Sequence, residues 1–277
     1  MNAVLHSLGS EFEKVVTTRM WWVLGGLLVV YVAILAGGFG AFLGWTIQNP
    51  EAAAAAGGNT TVPPGVSLAP LVYTFASSIG YVFPVLLGAL AVTGEFRHRT
   101  LTPTFLAEPR RSIVLGAKFL SQLVVGAGLG AAAFATSVGA GAPALAAFGL
   151  ETELDSSDTW ALVGRGILAM ALWGAIGVGL GALVPNQVAA IVIVIAFTQF
   201  VEPILRLMAS FSDVTASIGR FLPGAASDAL VGASFYSIMS TGSSASLEWW
   251  QGGLVLLGIA VVATVIGGAT TWRRDVS

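Results

Sequence analysis

Long apolar runs alternate with short polar ones along this chain, and the runs are long enough to cross a bilayer. A helix rises about 1.5 Å per residue, so roughly 20 apolar residues cover a hydrocarbon core ~30 Å thick. Six runs meet that length: Met20 to Trp45, Leu68 to Thr93, Phe119 to Phe148, Trp160 to Val184, Gln187 to Met208 and Trp249 to Trp272. The first three contain no Asp, Glu, Lys or Arg. Trp21, Trp22, Trp45, Trp160, Trp249, Trp250 and Trp272 all stand at run ends, where an indole suits the headgroup level. The pattern predicts an all-α integral membrane protein with six transmembrane helices in one domain, residues 1–277.

Two flanking patterns add to this. In residues 1–19, Val4, Leu5, Leu8, Phe12, Val15 and Val16 recur every three or four positions, with Glu11, Glu13 and Lys14 on other faces. That predicts an N-terminal amphipathic helix lying on the inner leaflet. Residues 209–248 hold apolar pieces too short to span, broken by Pro223 and Gly224, and read as short re-entrant helices on the outer side. Glu202 and Arg206, four apart on one helix face, join Pro223 and Gly224 as candidate outer-gate residues.

Composition agrees with the pattern. The 277 residues are 56% hydrophobic and 9% charged, against roughly 25% charged in a soluble domain. No basic stripe with interleaved aromatics stands in a soluble segment, which argues against nucleic-acid binding. Cysteine is absent, so disulfides and thiolate chemistry are excluded. Arg outnumbers Lys and Ala and Gly abound, as in bacterial chains. With the N-terminus inside, Lys14, Arg19, Arg97, Arg99, Arg110, Arg111, Lys118, Arg273 and Arg274 face the cytoplasm. Only Arg165, Arg206 and Arg220 face outward, so the positive-inside rule predicts a multi-pass plasma-membrane protein with both termini cytoplasmic.

Catalytic signatures are missing. The two lysines, in "EFEKVV" and "LGAKFL", are not followed by Ser or Thr, so no phosphate-binding loop is present. His6 and His98 are far apart, and no Gly-x-Ser-x-Gly elbow occurs. The expectation is a chain that is not an enzyme on its own and binds no cofactor or metal. Midplane ionisable groups, which mark the path of a self-powered carrier, are also absent, because Arg165, Glu202 and Arg206 fall near outer span ends. Tyr81, Phe83, Phe197, Gln199 and Phe200 are candidates for lining a pathway for an amphiphilic substrate.

The polar exception is "GEFRHRTLTPTFLAEPRRS", residues 94–112, between the second and third runs. Thr100 can cap a short helix, Pro103 sits early in it, and Leu101, Phe105 and Leu106 give it apolar side chains between charged ends. A short amphipathic element with an aromatic knob suits a groove on a soluble partner; a plain positive-inside loop is the other reading of the same residues.

Residues 94–122, "GEFRHRTLTPTFLAEPRRSIVLGAKFLSQ", closely resemble the intracellular segment of the membrane subunits of type-2 ATP-binding-cassette (ABC) exporters. There Glu-[Phe/Tyr]-Arg-x-x-Thr-Leu leads to Pro-Arg-Arg and an Ala-Lys that opens the third span. The six-span layout, "GALVPNQVAAI" between spans four and five, and "RFLPGAASDAL" also resemble this family. Arg99 stands where Gly or another small residue is frequent. The resemblance implies a permease subunit that pairs with a second permease, a homodimer or a close relative. Two copies of a cytoplasmic ABC ATPase would carry the ATP and Mg. It implies a coupling helix within 94–118, with Glu95, Arg97, His98, Arg99, Thr100, Leu101 and Phe105 in the ATPase-coupling region and Arg110 and Arg111 at its exit. The expected function is outward movement of a hydrophobic or amphiphilic substrate such as a drug, an antibiotic or a lipid-like molecule. The alternatives are a polysaccharide or lipid-glycan export permease, and a non-transporting membrane anchor or sensor for a cytoplasmic partner.

Overall fold

The computed structural model describes residues 2–55, 67–209, 211–233 and 247–272. Arg273, Arg274 and parts of the 46–67 and 209–248 connections lie outside the described residues. Among the described residues every regular element is a helix, and six helical stretches are long and apolar enough to cross a membrane.

Helix α1 (Asn2–Thr17) precedes α2 (Met20–Gln48) and the short α3 (Pro50–Ala55). The second span is assembled from α4 (Leu68–Tyr73), α5 (Phe75–Ser78) and α6 (Val82–His98). Then come α7 (Leu101–Ala107), α8 (Arg111–Ala146), α9 (Ser157–Leu183) and α10 (Gln187–Ala196). A π-helical turn (Phe197–Val201) leads into α11 (Glu202–Ala209), followed by α12 (Asp213–Gly219), α13 (Pro223–Val231) and α14 (Trp249–Thr270).

Helix α9 is the axis of the bundle, with α6, α8 and α14 packed around it. Its contact with α6 is backbone on backbone: a Cβ added to Gly177 would lie 2.9 Å from the Ala89 nitrogen, and one on Gly181 2.7 Å from the Ala89 oxygen. Gly126 and Gly130 play the same part between α8 and α9, while on α2 Gly40 makes room for Ala144 of α8 and Gly44 for the Phe148 side chain just beyond it. These glycines, spaced four apart in small-xxx-small pairs, thus pack within the chain. Helices α2, α10 and α14 lie outside, with broad exposed apolar faces.

Two spans expected to be continuous are interrupted. The second breaks at Ile79–Tyr81, where Gly80 lies too close to the Ala76 carbonyl to carry a side chain and Pro84 has no N–H to bond back to Gly80. The fifth carries the π turn immediately before Pro203, which cannot donate to the Gln199 carbonyl, so the helix widens by a residue. The third span, expected from Phe119, is helical from Arg111, and the second runs on to His98 rather than ending at Thr93. Those extra turns carry charge, and two of the charges, Glu95 and Lys118, are partnered inside the protein.

Helix α1 turns its apolar Val4, Leu5 and Val16 outward while Glu11, only 4% exposed, faces α8. The acid that the periodicity places off the apolar face is the side chain the fold buries.

Candidate functional site

Two regions concentrate the polar side chains. The first is a ring of four charges where α1, α6 and α8 meet. Lys14 Nζ lies 2.6 Å from Glu11 Oε1 and 2.8 Å from Glu95 Oε1. Lys118 Nζ lies 2.6 Å from Glu11 Oε2, 2.9 Å from Glu95 Oε1, and donates to the Ala91 carbonyl at 3.3 Å. Both lysines of the chain are used here, and two carboxylates balance them. Partial burial would lower the Lys14 pKa, but its hydrogen bonds to Glu11 and Glu95 outweigh burial and hold it above the usual 10.5.

Glu95 is therefore turned into the protein, 7% exposed, rather than toward a partner. The chain then leaves α6 through Arg99, whose φ of 55° is left-handed, while the Thr100 amide donates to the Glu95 carbonyl at 3.0 Å. This is a six-to-one helix stop, which favours glycine at the left-handed position. Thr100 makes no side-chain cap; its carbonyl instead accepts from the Thr104 hydroxyl at 2.9 Å.

Helix α7 is anchored through the face expected to point outward. Leu101 is fully buried beside Val92, Val114 and Leu115. Phe105 meets Trp272 edge-on at 5.6 Å and lies 4.8 Å beneath the Arg111 guanidinium. Arg111 donates to the Trp272 carbonyl at 2.9 Å, and the Trp272 indole donates back to the Arg111 carbonyl at 3.2 Å. The aromatic knob expected at Phe105 is thus an internal anchor, and the outward apolar side chain is Leu106, 80% exposed. Arg97, His98, Arg99, Thr100 and Arg110 are exposed as well. Arg97 reaches Gln187 at the start of α10 at 3.1 Å. Arg110 pairs with Glu108 at 2.9 Å, and its hydrogen bond holds the Glu108 carboxyl below its ordinary range.

The second region is a cavity of about 660 Å³ among α2, the broken second span, the π turn and α13. Of the sequence candidates, Tyr81, Gln199, Glu202, Arg206 and Gly224 line it. Pro223 opens α13 and so presents the Gly224 amide, which donates to Glu202 Oε1 at 2.5 Å. Arg206 bonds the same oxygen through Nε at 3.2 Å and Nη2 at 3.1 Å, and its Nη1 lies 2.6 Å from Asp228 Oδ2. Tyr81 stacks on Trp173 at 4.5 Å and donates to the Thr198 carbonyl at 3.3 Å. Phe83 lies instead in the core near Tyr31, Phe197 is part-buried in the π turn, and Phe200 is 65% exposed on the outer face.

Asp228, one turn beyond Gly224, and the ring partners Glu11 and Lys118 escaped the sequence reading. A signal existed for Lys118: a lone cation in apolar "LGAKFL" needs an acidic partner wherever it is buried. No protein-family model matches the chain, and no curated protein is significantly similar to it. Fold and sites together define an all-helical protein with six membrane-length helices, a braced short helix at one end and a polar-walled cavity nearer the other.

Proposed function

We propose that the chain is the membrane-spanning permease subunit of a bacterial ABC exporter, working with a second permease copy and two copies of a separate cytoplasmic ATPase. In this reading both termini and α7 are cytoplasmic, and ATP with Mg is bound by the partner. The observation that carries the proposal is the construction of α7. It exposes Leu106 and is tied from beneath to three spans, through Leu101, the Phe105–Trp272 contact and the Arg111–Trp272 bonds. A helix that served only as a connecting loop would not need such bracing. The motif resemblance at residues 94–122 supports the same reading.

Closure of the ATPase would press on the Leu106 face, and α7 would pass the displacement to the ends of α6, α8 and α14. Nucleotide can shift that equilibrium only through contacts that differ between states, so those contacts belong on the exposed face of α7. The cargo in this reading is hydrophobic or amphiphilic and reaches the cavity at the two helix breaks, since irregular backbone at membrane depth is found where it lines a cavity.

The test is co-purification in mild detergent, followed by an ATPase assay on whatever accompanies the chain. Wild type should bring down a stoichiometric ATPase, and Leu106→Glu should reduce its recovery or its stimulation by at least about tenfold, the effect of losing one buried interface anchor. A well-folded chain that recovers no ATPase in any of several mild detergents would refute the proposal and favour the membrane-anchor reading.

A further inference from the structure

We propose that the 660 Å³ cavity is a binding site for monocationic amphiphiles, with Glu202 and Ser78 taking the ammonium group and an aromatic wall of Tyr31, Phe39, Phe42 and Phe75 taking the apolar body. The inference rests on the exporter reading only for its physiological meaning, because binding itself is a property of this chain. Three observations lead to it.

The first is an incomplete set of hydrogen bonds. Glu202 is 1% exposed, and while its Oε1 accepts from Gly224 and Arg206, its Oε2 has no partner. The Ser78 hydroxyl, in the wall of the same cavity, is likewise buried without a partner. A buried unsatisfied polar group costs about 1–3 kcal/mol, and more when charged, so two in one cavity wall define where donors of a ligand belong. The second is charge. Glu202 and Asp228 both pair with Arg206, so two acidic side chains stand in the wall where a ligand cation would approach.

The third is the opposite wall. Phe39 meets Phe75 edge-on at 5.0 Å and lies 6.4 Å from Phe42, and Tyr31 continues the face along α2. Aromatic faces attract a cation as well as covering an apolar chain. The volume also falls within the roughly 300–1,000 Å³ range of small-molecule sites. A neutral hydrocarbon would leave Glu202 Oε2 unsatisfied, and an anion would meet a carboxylate.

The test uses dansylcadaverine, a fluorescent aromatic amine with one ammonium group, titrated onto the purified full-length chain in phosphatidylcholine nanodiscs. Its neutral N-acetyl derivative is the control. The expected result is saturable one-site binding of the amine, with the neutral derivative weaker by at least about tenfold, the worth of one charge-assisted hydrogen bond. Glu202→Gln should abolish that preference while leaving the neutral derivative's binding unchanged. Because Glu202 also holds Gly224 and Arg206, Phe42→Leu on the opposite wall serves as a second variant. It leaves the polar group intact and should weaken the amine severalfold with an unchanged melting midpoint. Equal binding of amine and neutral derivative, binding indifferent to both substitutions, or no saturable binding would each overturn the proposal. None of these outcomes bears on association with an ATPase, and loss of ATPase association would leave this result standing.

Discussion

Lys118→Met isolates the four-charge ring, because it keeps an unbranched apolar stem and removes the ammonium group. Lys118 is 1% exposed and neutralises Glu11 at 2.6 Å and Glu95 at 2.9 Å. Without it, the two carboxylates share Lys14, whose side chain is 40% exposed. Removing one member of a buried ion pair costs about 3–5 kcal/mol, since the charge left behind stays buried. Lys14→Met should cost only about 1 kcal/mol, because water reaches that side of the ring and screens what remains. At roughly 2–4 °C per kcal/mol for a chain of this size, the expected falls in melting midpoint are roughly 6–20 °C and 2–4 °C. Intrinsic tryptophan fluorescence in mild detergent reads this at one fixed scan rate, since unfolding of such proteins is commonly irreversible. The double variant Glu11→Gln/Lys118→Met should cost less than the sum of its parts by about 1 kcal/mol or more, the mark of a direct interaction. A Lys118→Met midpoint within the spread of the wild type, or strict additivity in the double variant, would refute the ring as a structural unit.

Arg99→Gly should raise the melting midpoint by the equivalent of up to about 1 kcal/mol, since a left-handed backbone costs an L-residue roughly 1–2 kcal/mol and this exposed side chain forfeits little. A lower midpoint would mean that the guanidinium contributes a contact outweighing that strain. The docking of α1 should also depend on pH in one direction. The Lys14 pKa is raised in the folded chain, so its stabilising contribution is fully present below 10.5 and disappears as pH rises through the folded value. Amide exchange in α1, corrected for the intrinsic rate, should lose protection in that alkaline range, and the loss should be smaller in Lys14→Met.

Much of the bundle was legible because bilayer length is written into composition. The sequence-predicted starts at Met20, Gln187 and Trp249 coincide with observed helix starts. Interruptions were hidden by the same property: the Leu68 to Thr93 run is apolar throughout, and apolarity says nothing of whether Gly80 and Pro84 break the helix it fills. Glu202 and Arg206 could be paired from their spacing, whereas Asp228 joins them only because the fold returns α13 to α11. The ring could not be read locally, because Glu11 and Lys118 are 107 positions apart. Phe105 shows the limit on side-chain direction. Its amphipathic context fits an outward knob equally well until Trp272, from the far end of the chain, supplies the surface that turns it inward.

Helix α6 connects the two regions, and its packing decides how they communicate in the proposed exporter. Its 17 residues rise about 25 Å from the break beside Tyr81 to the turn at Arg99. One end borders the cavity; the other carries Glu95 into the ring. For α7 to move alone, Leu101 would have to leave its buried position, Phe105 would have to leave Trp272, and the helix stop at Arg99 would have to open. Those losses fall together, so the less costly displacement keeps α6 and α7 as one body. Helix α9 must accompany them, because Gly177 and Gly181 hold the two backbones at a separation that leaves no slack for sliding. The flexible places are then the discontinuities: the Ile79–Tyr81 break, and the π turn before Pro203 on the other side of the cavity. In the proposed exporter a force applied at Leu106 would be released where the cavity wall is irregular, so a site that binds cargo and a site that receives force would lie at opposite ends of one helix.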